Sequence, residues 1–189
     1  MPIFSSSELA TWTQGRWTAA PTSVRGFSID TRTLFQGEVF VALRTARRDG
    51  HQYLPEARQR GATGAMVAEV QADALPQLVV DDPAVALRRL ALAWRQRFTG
   101  PVVGVTGSVG KTSTKELLGA MLGSAALVTE ANLNNLLGVP LTLLRLDSQI
   151  HRFAVVEAGM SLPGELALSA AVIEPNLTIV TAVESVHLE

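Results

Sequence analysis

Ten residues constrain this chain more than any others: Gly104-Val105-Thr106-Gly107-Ser108-Val109-Gly110-Lys111-Thr112-Ser113. They follow the apolar pair Val102-Val103 and lead into a segment of helical character. A strand that empties into a glycine-rich turn and then a helix calls for a parallel α/β arrangement, because the turn sits at the carboxyl edge of the sheet. The glycines let successive backbone N–H groups turn toward an anion, and the helix N-terminus adds the positive end of its dipole. Gly107, Ser108, Val109, Gly110, Lys111, Thr112 and Ser113 are therefore predicted to bind the phosphates of ATP. Lys111 would reach the terminal phosphates, and the Thr112 hydroxyl would bind Mg²⁺, a hard cation that prefers oxygen. The general pattern G-x-x-x-x-G-K-[ST] asks for glycine at 105, where this chain has Val105; its glycines stand at 104, 107 and 110. A glycine-rich turn with a surface lysine is the plainer alternative, but glycine, lysine and threonine in series after a strand favour the nucleotide.

The rest of the chain supports the same class. Val102–Thr106, Phe153–Glu157 and Leu177–Val183 read as strands that are apolar throughout, as parallel strands covered on both faces are. Thr112–Leu122 and Pro163–Val172 read as helices between them. Upstream, Val39–Leu43, Ala65–Ala68 and Leu78–Val80 are short apolar runs, and His51–Arg60 reads as a helix ended by Gly61. Ser5-Ser6-Ser7 before Glu8 marks a capped helix start. The first eighty or so residues thus form a small α/β unit. Asp81-Asp82-Pro83 is the best internal boundary, since Asp82 can cap a helix and Pro83 suits its first turn. This places domains at 1–82 and 83–189. Leu87, Leu90, Ala91, Trp94 and Phe98 fall on one face of that helix, and Arg88, Arg89, Arg95 and Arg97 read as a solvated basic face.

Composition removes other classes. Hydrophobic residues are 47% and charged residues 17%, enough for a substantial core and against disorder as the main state. Sixteen Lys+Arg against seventeen Asp+Glu leave a formal charge of -1, with no basic field that calls for nucleic acid. With no cysteine, disulfides, zinc-thiolate sites and cysteine nucleophiles are excluded, and a reducing compartment fits. No apolar run approaches the ~18 residues of a membrane span, and the N-terminus lacks a secretory pattern. A cytoplasmic monomer is expected.

The glycine spacing and several further segments resemble the ATP-dependent Mur ligases of peptidoglycan synthesis, whose phosphate loop also lacks the first glycine of the general pattern. Asn132-Leu133-Asn134-Asn135, followed by Gly138-Val139-Pro140-Leu141-Thr142-Leu143-Leu144, is similar to the family's MurF-type branch. So are Glu157-Ala158-Gly159-Met160 with Gly164-Glu165, and His187-Leu188-Glu189. In the first domain Asp30-Thr31-Arg32, Phe40-Val41-Ala42-Leu43 and Asp49-Gly50-His51 resemble the motifs of its uridine-binding domain. The resemblance is highly specific after residue 102 and looser before it. It implies a small N-terminal α/β uridine-binding domain, then a P-loop-type, mostly parallel sheet with helices on both faces, incomplete here.

That resemblance implies an acid–amino-acid ligase. ATP would convert the carboxylate of UDP-N-acetylmuramoyl-tripeptide into an acyl phosphate, and the amine of D-alanyl-D-alanine would then displace phosphate. It assigns catalytic roles to Lys111, Glu157 and His187, metal ligation to Thr112, Glu157 and His187, and substrate contacts to Thr31, Arg32, Asp49, Gly50, His51, Asn134 and Asn135. Plainer roles stay open. Asn134 and Asn135 could cap a helix, Glu157 could pair with a structural lysine, and His51 could be structural. Nitrogen ligands suit Mg²⁺ poorly, so chemistry alone does not select His187. His151 is expected to be solvent-exposed. Two departures stand out: the common D-S-R reads Asp30-Thr31-Arg32, and Thr45 replaces a glycine in the loop before Asp49. The family's third domain and its metal-binding lysine have no counterpart within these residues, so the 189-residue chain is read as a truncated ligase and expected to be inactive alone. Another P-loop enzyme such as a small-molecule kinase, a folylpolyglutamate-type ligase and a non-catalytic nucleotide-binding module are the competing readings. A kinase strand would more often end in Asp than in Glu157.

Overall fold

The computed structural model describes residues 2–184. They form two compact units, Met1–Leu90 and Ala91–Glu189. The division falls inside a helix, further along the chain than the sequence boundary at 82.

The first unit opens with α1 (Ser6–Thr13); the hydroxyl cap expected of the serine run is Ser5, and Glu8 extends it into a capping box. Its sheet contains β1 (Arg16–Trp17), β2 (Gly26–Ser28), β3 (Glu38–Val41), β4 (Gly64–Val67) and β5 (Gln77–Val79), in the order β1-β5-β4-β3-β2. All neighbours are parallel except β1, which runs antiparallel to β5. Strands β3 and β4 are buried at every position, as strands covered on both faces must be. α2 (Leu54–Gln59) follows a 3-10 turn over Gly50–Tyr53, so the helix expected from His51 starts tighter and later. Leu54 and Ala57 pack with Leu34, Phe40, Ala65 and Val67 in one core layer. β1 and β2 went unread because strands this short carry no periodicity.

α3 (Pro83–Arg95) begins as expected, with the Asp82 carboxylate accepting from the N–H groups of Ala84 at 2.7 Å and Val85 at 3.1 Å. Its end corrects the solvated-face reading. Arg95 is 6% exposed. Its guanidinium donates to the carbonyls of Ile173, Phe98 and Glu174, each at 2.9 Å, and to Asn176 Oδ1 at 3.3 Å. The last carbonyls of a helix have no partner within it, and a planar five-donor fork can serve several at once. Arg97 stays outside and lies over the Trp94 ring at 5.4 Å.

The second unit is a sheet of β6 (Val102–Thr106), β7 (Ala126–Val128), β8 (Phe153–Glu157) and β9 (Leu177–Val180) in the order β7-β8-β6-β9, parallel throughout. Helices α4 (Lys111–Leu122), α5 (Gly138–Leu143) and α6 (Glu165–Ile173) cover its two faces. With β6 central, the glycine turn leaves the middle of the carboxyl edge, where α/β sheets bind ligands. β9 ends at Val180, earlier than expected. His151 is half-buried, not exposed: Nδ1 accepts from the Asp147 N–H at 3.0 Å, and burial holds its pKa below the ordinary value. Among the described residues no helix is long and apolar enough to cross a membrane.

Candidate functional site

The glycine-rich loop runs from β6 into α4. Gly107 and Gly110 have φ of 135° and 87°, the left-handed region that favours glycine. The Lys111 ammonium folds back and donates to the carbonyls of Gly107 at 2.6 Å and Ser108 at 3.2 Å. The Thr112 hydroxyl reaches both Glu157 oxygens, Oε2 at 3.2 Å and Oε1 at 3.4 Å. Ser113 is exposed on the first turn of α4.

Glu157 closes β8 and is 1% exposed. Its backbone N–H donates to Thr129 Oγ1 at 2.9 Å, and its Oε1 accepts from Asn134 Nδ2 at 2.8 Å. Behind it lies Lys115, fully buried, with Nζ 3.9 Å from Glu157 Oε2, 2.9 Å from Glu116 Oε1 and donating to the Thr129 carbonyl at 2.8 Å. A buried carboxylate needs a nearby cation and hydrogen bonds, and Lys115 with Asn134 supplies them. The two asparagines therefore divide their work. Asn134 holds Glu157, while Asn135 Oδ1 accepts from the N–H groups of Leu137 at 3.0 Å and Gly138 at 2.8 Å and so caps α5. A cleft of about 160 Å³ opens between Gly107, Lys111, Asn134, Gly159, Ser161 and Glu165. Glu165 is mostly buried, and its Oε2 accepts from Ser161 and Leu162 N–H, which shapes the cleft wall. Thr112 and Glu157 form a pair of hard oxygen donors that fits Mg²⁺. No cluster of three acidic or histidine ligands is present among the described residues. His187 lies outside them.

The first unit carries a larger cavity, about 510 Å³, whose walls include Thr31, Arg32, Arg48, Gly50 and Tyr53. Of the expected residues, Thr31, Arg32 and Gly50 line it, while Asp49 and His51, the neighbours of Gly50 in the chain, do not. His51 is buried, and its Nε2 accepts from the Ala68 N–H at 3.0 Å, so the proton sits on Nδ1 facing Asp49 Oδ1 at 2.5 Å. Both ring nitrogens are thus committed within the fold. Arg32 is gripped by Asp30, with its Nη2 2.6 Å from Oδ2 and its Nε 3.0 Å from Oδ1. Arg44 pairs with Asp49 at 2.9 Å and Glu69 at 2.6 Å. The Thr45 substitution is accommodated without positive φ. Its hydroxyl accepts from the Arg48 N–H at 3.0 Å and closes the turn that presents Arg48.

Residues 105–189 match the Mur ligase middle domain. The chain belongs to the Mur ligase family. It is 43% identical over 170 residues to the UDP-N-acetylmuramoyl-tripeptide–D-alanyl-D-alanine ligase of Synechocystis, covering 87% of this chain and 37% of that protein. Its identity to the Escherichia coli ligase of the same name is 38% over 185 residues, covering 97% and 41%. A MurF structure from Acinetobacter baumannii superimposes with a TM-score of 0.92 at 33% identity, covering 100% of this chain and 42% of that one. The Thermotoga maritima MurF ligase in complex with ADP superimposes with a TM-score of 0.76 at 32% identity, covering 88% and 39%. The chain thus spans about two fifths of the length of these relatives.

Three residues of this Mur ligase chain escaped the motif reading: Lys115, Thr129 and Arg48. Lys115 stands one helical turn beyond Lys111, a spacing that places both on one face of α4. That signal was available. Thr129 and Arg48 carried none, since each acts through the loop that presents it. The cavity acids also define a pH response. Arg32's side chain and N–H hold the Asp30 carboxyl down to about 2, and the His51 N–H and ring, with Arg44, hold Asp49 down to about 2. Both folded values lie below the ordinary 3.8, so the stabilisation is fully present above about pH 4 and is lost as pH falls toward 2. A carboxyl-detected NMR titration should find both groups still ionised at pH 3; midpoints near 4 would refute the assigned hydrogen bonds.

Proposed function

We propose that residues 1–82 are the UDP-substrate domain and residues 83–189 the ATP-binding domain of a MurF-type ligase. That enzyme joins D-alanyl-D-alanine to UDP-N-acetylmuramoyl-tripeptide in the cytoplasm, at the expense of ATP and through an acyl phosphate. The observation that carries the reading is the convergence of Lys111, Thr112, Glu157 and Asn134 at one sheet edge. An anionic carboxylate meets an anionic triphosphate only where charge is neutralised, and Lys111 with the loop N–H groups offers that. Mg²⁺, held by Thr112 and Glu157, would withdraw further charge from the phosphates.

In the first unit the pyrophosphate falls to Arg48. Its guanidinium has no ion pair among the described residues, whereas the fork of Arg32 is already filled by Asp30. Arg48→Ala should weaken UDP-muramoyl-tripeptide binding about tenfold and Arg32→Ala clearly less, measured by titration calorimetry. Amide shifts map both sites: the UDP ligand should move Thr31, Arg48 and Gly50, and MgADP should move Gly107 to Thr112. Shifts from the UDP ligand confined to residues after 100 would sink the assignment.

A further inference from the structure

Thr181 follows β9 and belongs to none of the motifs above. Its N–H donates to the Thr106 carbonyl at 2.9 Å, which carries the β6–β9 pairing one residue past the strand. Its hydroxyl lies 2.6 Å from the Val109 carbonyl and 3.2 Å from that of Thr106. A hydroxyl has one proton, and the shorter contact takes it. The same side chain explains a glycine: a Cβ at Gly107 would collide with Thr181 Oγ1, and one at Gly110 would stand 3.7 Å from Thr181 Cβ. The next residue continues the contact, since the Ser108 N–H donates to the Ala182 carbonyl at 2.7 Å.

We propose that Thr181 is a positioning residue of the phosphate loop, holding the Val109 carbonyl outward so that the Gly110 N–H faces the bound phosphate. The inference rests on the nucleotide reading of the loop. A trans peptide is planar, with its C=O and N–H pointing in opposite directions. Anchoring the Val109 carbonyl on the sheet side therefore aims the next N–H at the loop interior. Gly110, at φ 87°, leaves this peptide unit free to rotate at little steric cost. Rotated the other way, the carbonyl would set a partial negative charge against phosphate. The anchor comes from the residue just past β9, far from the loop in sequence.

Thr181→Val keeps the shape and removes the proton; Thr181→Ser keeps the proton. Titration calorimetry with MgADP, and separately with magnesium tripolyphosphate, which has no base or sugar, reads the effect. Thr181→Val should weaken both ligands about 5- to 10-fold, and Thr181→Ser should stay within about twofold of the unmodified chain. Thermal melts and amide spectra establish that each variant is folded, and Thr181→Ala, with a smaller side chain, replaces the valine variant if that one is not. Unchanged affinity in Thr181→Val overturns the inference. So does an equal loss in Thr181→Ser, or a loss seen with ADP and not with tripolyphosphate. If the unmodified chain binds neither ligand, the nucleotide reading itself fails and this inference falls with it.

Discussion

Arg95→Met should destabilise the second unit by about 3–5 kcal/mol, the largest effect expected of any single substitution considered. The residue is buried, and burial pushes its guanidinium pKa below the ordinary arginine value, yet arginine stays charged at any physiological pH. That charge is spread over three carbonyl oxygens and Asn176 Oδ1. Methionine fills the space of the aliphatic stem but leaves the carbonyls of Ile173, Phe98 and Glu174 without their donor, at roughly 1–3 kcal/mol for each one that stays buried. Asn176 would be loosened as well, and its side chain also accepts from the Val102 N–H at the start of β6. Urea unfolding, with amide exchange to localise the loss to residues after 90, measures this. Arg89→Met, at an exposed position on the same helix, should shift stability by no more than about 0.5 kcal/mol. Matching behaviour of the two variants would show that the Arg95 clamp contributes nothing.

Lys111→Ala should weaken MgADP binding by about 1.5–3 kcal/mol, roughly 10- to 100-fold. The loss is a net quantity. The ammonium is already hydrogen-bonded to the Gly107 and Ser108 carbonyls, and it must leave them to reach a phosphate. The exchange is favourable because a phosphate oxygen bears far more negative charge than a carbonyl oxygen. Calorimetry on both proteins decides the matter, and equal affinities would remove Lys111 from the binding role. Met121→Ala, exposed near the far end of the same helix, serves as the control and should bind as the unmodified chain does.

Much of this molecule is local in origin and could be read from neighbouring residues. The Ser5–Glu8 capping box, the Asp82-Pro83 helix start and the apolar strands β6 and β8 each follow from contacts within a few residues. The glycine turn before Lys111 is legible as a pattern of residues, although Thr181 and Ala182, far along the chain, anchor its backbone. The candidate centre is different in kind. Lys115, Thr129, Asn134 and Glu157 come from four separate segments, and what joins them is the strand order β7-β8-β6-β9. Helical periodicity places Arg95 off the apolar face, yet the end of α6 folds over it and buries it. Asn134 and Asn135 are neighbours with the same side chain, but one faces a carboxylate and the other a helix start. No local pattern distinguishes such cases. Which donor meets which acceptor depends on segments brought together across long stretches of chain, and hydrophobic packing of the sheets and helices sets that meeting before any polar group can choose its partner.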